Sequence, residues 1–223
     1  MEICGRVVDQ EVFVRSTCFG VLKLLLRDPR GLSAVRQIKK DEEIWELVLE
    51  ALGDSEAIVR RQAVETLGVA LTYIHTLLSL GQPEGSTSWA TFFHRTMQDP
   101  DWEVRVRFVT AMGVLFEEPR SRALFYSGDA GTLLLEALSE SEFQVTETVI
   151  TVLTALKAKI LEFPCGPQEK ETKMAEHFRA TLEQTNLPEL LRRLKAEEEV
   201  PDRIDFDDIF SHIHVCDNTL DCY

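Results

Sequence analysis

The chain has 223 residues, 44% of them hydrophobic and 28% charged, with a formal net charge of −14. That length admits one large core, two small ones or a repeat array. The charge disfavours nucleic-acid backbones and anionic membranes and suits basic protein partners.

The opening residues, MEICGRVVDQ, lack the apolar core with a basic flank that marks a secretory signal, and the longest apolar stretch, around FGVLKLLL, is far short of a membrane span. The five cysteines are Cys4, Cys18, Cys165, Cys216 and Cys222. Their odd number and the lack of a C-x-x-C pair argue against a disulfide framework or a zinc finger. They fit a reducing compartment, cytoplasm or nucleus.

Taken in chain order, one pattern returns. VVDQEVFVRSTCFGVLKLLL opens the chain, LGDSEAIVRRQAVETLGVAL (Leu52–Leu71) repeats it, and MQDPDWEVRVRFVTAMGVLF (Met97–Phe116) repeats it again. Asp9, Asp54 and Asp99 align at a spacing of 45, as do Val14, Val59 and Val104, and Arg15, Arg60 and Arg105. Leu22 aligns with Leu67 and Gly68 with Gly113. A fourth copy, LSESEFQVTETVITVLTALK, follows after 41 residues, with Leu138 for Met97, Glu140 for Asp99, Val145 for Val104 and Leu153 for Met112.

Each copy places an acid at a short turn, as N-cap or in the first helical turn, and then a long helix whose apolar stripe is Val59, Ala63, Leu67 and Leu71 in the second copy. A shorter amphipathic helix precedes the turn at EIWELVLEAL (Glu43–Leu52), WATFFHRTM (Trp89–Met97) and GTLLLEAL (Gly131–Leu138). A helix, a tight turn and a helix within 40–47 residues resemble a HEAT or armadillo unit. The D-x-x-x-x-V-R string is closer to HEAT. That resemblance implies a right-handed α-solenoid in which Arg15, Arg60 and Arg105 each pair with an acidic turn residue. Thr146 stands in the arginine position of the fourth copy, so the ladder is expected to lapse there. The first copy begins at its turn without a preceding helix, which points to further repeats before Met1.

Two stretches interrupt the pattern, Leu80–Trp89 (LGQPEGSTSW) and Glu162–Thr172 (EFPCGPQEKET), both read as loops. Beyond the second, two helical stretches divided at Asn186–Pro188 form an irregular fifth unit that caps the array near Glu199. The array, 1–199, carries no phosphate-binding, nucleophile-elbow or metalloprotease motif. His75, His94 and His177 have no partner at ligand spacing, and Trp45, Trp89 and Trp102 are expected to pack. Gly68 and Gly113 recur with the repeat and are expected to serve helix packing. The basic run Leu190–Lys195 is read as a solvated helix face. The array is therefore read as no enzyme, with no cofactor of its own.

From 200 to 223 the composition changes to an acidic, largely extended tail. Asp202, Asp205, Asp207, Asp208, Asp217 and Asp221 stand against the single base Arg203, and bulky Ile204, Phe206, Ile209 and Phe210 interleave with the acids. Such a segment either folds on a partner or packs back onto the last repeat. Four readings fit the end, HIHVCDNTLDCY. His212, His214, Cys216 and Cys222 have zinc-ligand chemistry, although a structural site usually draws its ligands from two elements. Asp221 and the terminal Tyr223 fit an acidic PDZ ligand added as a strand. An inert tip is the third. In the fourth, the tip Asp221, Cys222 and the free carboxylate thread into a partner's metalloenzyme, where the thiolate takes an open zinc position.

The HEAT units together with CDNTLDCY (Cys216–Tyr223) resemble the C-terminal HEAT-repeat region of the BRCA-one-associated ATM activators, over the whole chain. The resemblance implies a non-enzymatic scaffold linked to DNA-damage kinase signalling, and the cysteine usage places it in cytoplasm and nucleus. It also implies partners: the Integrator RNA endonuclease, a dizinc nuclease of the metallo-β-lactamase type, and its inactive paralogue. On that implication Asp217, Asn218, Thr219, Leu220, Asp221, Cys222 and Tyr223 bind in the nuclease active site with Cys222 facing the zinc. Phe206, Ile209, Phe210, His212, His214 and Cys216 make weaker contacts. The alternative is a general HEAT scaffold for kinase or chromatin partners, with an idle or PDZ-binding tail.

Overall fold

The computed structural model of the chain describes residues 7–73, 89–117, 121–127, 129–162 and 173–198. Among these every regular element is a helix, so the fold is all-α. Four long helices carry the four copies: α1 (Val12–Arg27), α4 (Ala57–Tyr73), α6 (Trp102–Glu117) and α9 (Phe143–Glu162). Their first residues keep the spacing of the sequence pattern, 45 twice and then 41. Shorter helices lie between them: α2 (Pro29–Arg36), α3 (Asp41–Ala51), α5 (Trp89–Met97), α7 (Arg122–Ser127) and α8 (Ala130–Glu136). A 3-10 turn, Ala137–Ser139, extends α8, and α10 (Lys173–Gln184) and α11 (Leu187–Glu198) close the described chain.

The helices form two layers. In the first, α1 packs on α4, α4 on α6, α6 on α9 and α9 on α11. In the second, α3 covers α4, α5 covers α6, α8 touches both α5 and α9, and α10 touches α8. Between the layers the stripe Val59, Ala63, Leu67 and Leu71 is buried, and Val104, Phe108, Met112 and Phe116 repeat it in α6. Removing such side chains from water is the main term holding the layers together, about 25 cal/mol per Å² of apolar area. Aromatic edges add to this, Phe93 of α5 against Phe108 of α6 at 5.3 Å between ring centroids and Phe125 of α7 against Phe178 of α10 at 5.6 Å.

The recurring glycines do what the repeat suggests. A Cβ on Gly68 would come within 3.1 Å of the Ala111 Cβ, and one on Gly113 within 3.1 Å of Val152 Cγ1. Both let neighbouring long helices approach closely. The acids sit slightly earlier than expected. Asp9, Asp54 and Asp99 are neither N-caps nor first-turn residues; each Oδ1 accepts the backbone N–H two residues on, from Glu11, Glu56 and Asp101 at 2.9–3.0 Å. This is an Asx turn, which folds the chain just before the helix begins.

Helix α2 was not signalled by the repeat. Asp28 caps it by accepting from Gly31 N at 3.1 Å, with Pro29 in its first turn. At the other boundary Asn186 Oδ1 accepts from Glu189 N at 3.3 Å, so Pro188 lies inside the first turn of α11 and the break falls at Thr185 and Asn186. The stretch 74–88, which contains His75 and most of the first expected loop, lies outside the described residues, as do 163–172 of the second and the whole tail from 199.

Candidate interaction surface

The joints between copies are held by arginine. Arg15 Nε and Nη2 donate to the two carboxylate oxygens of Asp54 at 2.8 and 3.0 Å, while its Nη1 donates to the Asp9 and Gln10 carbonyls. Arg60 repeats this on Asp99 at 2.7 and 2.9 Å and on the carbonyls of Asp54 and Ser55. Each guanidinium thus ties its own turn to the acid of the next copy. Burial alone pushes the Asp54 carboxyl up, but hydrogen bonds from Arg15 and the Glu56 N–H outweigh it and hold the group below its ordinary value.

The third joint is thinner. Arg105 Nη1 donates to the Asp99 carbonyl at 2.6 Å, and its Nε lies 3.1 Å from Glu140 Oε2 without hydrogen-bond alignment. In the fourth copy the Thr146 hydroxyl donates to the Glu140 carbonyl at 3.0 Å. It keeps the bond to its own turn and has no group to reach further; the last bidentate clasp is that of Arg60 on Asp99, so the ladder lapses one copy earlier than expected.

A second charge network spans the long helices and does not repeat. Lys23 on α1 donates to Glu65 on α4. Arg107 on α6 donates to Glu65 at 2.7 Å and to Glu103 at 2.7 Å. Arg61 on α4 joins Glu103 at 2.8 Å and clasps Asp101 at 2.6 and 3.0 Å. Burial pushes the Glu65 carboxyl up, yet the donors Lys23 and Arg107 bring it below its usual range. The hydrogen bond from Arg61 does the same for Asp101.

Above this network, on the side of the long helices opposite the short ones, runs an open groove of about 650 Å³. Val69, Ala111 and Val114 form its apolar part, and Lys23, Arg27 and Arg107 stand around it. On the short-helix side a cleft of about 580 Å³ lies between the second and third copies, walled by Trp45, Trp89 and Phe92 with Arg95 and Gln98 at its mouth. Trp45 and Trp89 pack at 5.1 Å between centroids, as expected, whereas Trp102, at the start of α6, is 38% exposed.

His94 and His177 are exposed. No group of three or more His, Cys, Asp or Glu among the described residues could hold a metal ion. No helix among them is long and apolar enough to cross a membrane. Arg192, Arg193 and Lys195 lie exposed on α11, the two arginines paired with Glu189, which matches the expected solvated face. All of the tail residues singled out in the sequence, Phe206 through Tyr223, lie outside the described residues.

No family model matches the chain, and no curated protein matches it. Among solved structures it is similar to the crystal structure of an engineered protein, a target of the Northeast Structural Genomics Consortium. The TM-score is 0.57 at 11% identity, over 86% of this chain and 74% of that one. At that identity the likeness concerns the fold alone.

Proposed function

We propose that the chain is a non-enzymatic scaffold, a right-handed α-solenoid of HEAT-like hairpins over 1–199, whose acidic tail over 200–223 carries its tip, Asp217–Tyr223, into the active site of a metal-dependent nuclease. The partner is the Integrator RNA endonuclease with its inactive paralogue, and the tail holds the dizinc site inactive or protected. The partner and the link to DNA-damage kinase signalling rest on the resemblance of the HEAT units and CDNTLDCY, and the place in cytoplasm and nucleus on the cysteine usage. One observation supports the scaffold half: Arg15 and Arg60 each grip the acid of the following copy, a contact that recurs with the repeat at the first two joints. The tail half is supported by its chemistry, a thiol at Cys222 beside Asp221 and the terminal carboxylate. A thiolate is a strong ligand for zinc with an open position.

The test is deletion of Asp221–Tyr223 in the full chain, alongside Cys222→Ala, with capture of the nuclease as readout. Loss of capture on deletion, and weakening by Cys222→Ala, support the plug. Unchanged capture defeats it and leaves the general scaffold, for which the two clefts on opposite sides of the helix layers are the natural contact surfaces.

A further inference from the structure

The groove over α1, α4 and α6 is a basic surface on an acidic chain. Its lining holds Lys23, Arg27 and Arg107 against the single acid Glu65, with Glu103 on Arg107 beside it, in a protein of net charge −14. The three cations are not required by the repeat. The corresponding positions of the neighbouring copies are Gly68 for Lys23, Thr72 for Arg27 and Gln62 for Arg107, and these build the same helices. Between the cations the groove is apolar, and Val114 is 37% exposed there. An occupant therefore needs carboxylates spaced around bulky apolar groups.

The chain itself contains one such segment, Asp202–Phe210 (DRIDFDDIF), with four aspartates against Arg203 and with Ile204, Phe206, Ile209 and Phe210 between them. It begins shortly after Glu198, where α11 ends. Helix α11 packs on α9, α9 on α6, α6 on α4 and α4 on α1, so the groove lies between two and four helix spacings away, roughly 18 Å at its near side and 36 Å at its far side at 8–10 Å per spacing. Extended chain spans about 3.4 Å per residue, so Phe206 reaches roughly 27 Å from Glu198 and Phe210 roughly 40 Å.

We infer that Asp202–Phe210 docks along this groove of its own chain, its aspartates on Lys23, Arg27 and Arg107 and the Phe206 ring over Val114. Attachment through the same chain supplies an effective concentration in the millimolar range, so individually weak ion pairs suffice. The docked segment fixes the point from which Asp217–Tyr223 extends, whatever that tip meets.

Replacing Phe206→benzoylphenylalanine in the full chain and irradiating it in dilute solution tests the placement, with cross-linked peptides mapped by mass spectrometry. Expected are intramolecular cross-links to the α4 and α6 peptides carrying Val69, Thr110 and Val114. Their yield should fall about five-fold in the double variant Arg27→Glu, Val114→Asp, and also in ~0.5 M salt. Both substituted residues are exposed, and an unchanged thermal melt verifies that the variant is folded. Cross-links to α10 or α11, to a second copy of the chain, or to no part of the groove each overturn the inference. Yields that ignore the double variant overturn it as well.

Discussion

The first two joints of the long-helix layer and the third are built differently. Where α1 meets α4 and α4 meets α6, a guanidinium clasps the next copy's aspartate in two hydrogen bonds, and the spacing is 45. Where α6 meets α9 the spacing drops to 41, the arginine contact is a single unaligned one, and Thr146 replaces the next arginine. Apolar contact continues unbroken, with Gly113 against Val152 at the third joint as Gly68 is against Ala111 at the second. The repeated charges therefore fix the register of two joints, while burial holds all three.

That contrast can be broken in order of effect. Leu67→Ala and Leu153→Ala each empty a fully buried site, one on either side of the contrast. Each should cost about 3 kcal/mol in urea unfolding. A loss at only one of them would show that burial is not shared evenly. Next, Arg60→Ala removes a bidentate ion pair and two carbonyl bonds and should cost about 1–2 kcal/mol after allowance for its partial exposure. Thr146→Ala removes one part-buried bond and should cost about 1 kcal/mol or less. A double-mutant cycle of Arg60→Ala with Asp99→Ala isolates the clasp, and zero coupling would remove it from the account.

The smallest effect is that of pH. Asp54, Glu65 and Asp101 titrate below their ordinary values in the folded chain. Their contribution is fully present above the unfolded value near pH 4 and is lost as pH falls through the lower folded values. All three belong to α1, α4 and α6 or the turns between them. On acidification, hydrogen-exchange protection factors should therefore fall there before they do in α9. A uniform fall would contradict that assignment.

Much of the helix layer was legible because its determinants are local and repeat. Asp followed by Val-Arg located the starts of α1, α4 and α6, and the apolar stripe located their buried face. The partner of each arginine was harder to read. Arg15 has Asp9 close in sequence but places its paired bonds on Asp54, and only packing of α1 on α4 decides that. Lys23, Glu65 and Arg107 gave no signal, since no copy repeats them and their meeting depends on helix rotation. Helix α2 rests on a single local cap at Asp28. Trp102 looked like a packing residue because tryptophan usually is, but its place at the start of α6 leaves it half in solvent. The tail was read from composition and its terminal thiol alone.

The arginine clasp has a direction. Each guanidinium reaches toward the copy that follows and never toward the one before. A copy that carries both the leading aspartate and the arginine can thus be inserted in tandem, as a module with matching ends. A duplicate of 52–96 placed after residue 96 would present Asp54 to an arginine behind it and its own Arg60 to an acid ahead. The fourth copy has a receiving end at Glu140 and no giving end at Thr146, so in such a tandem it can stand only last.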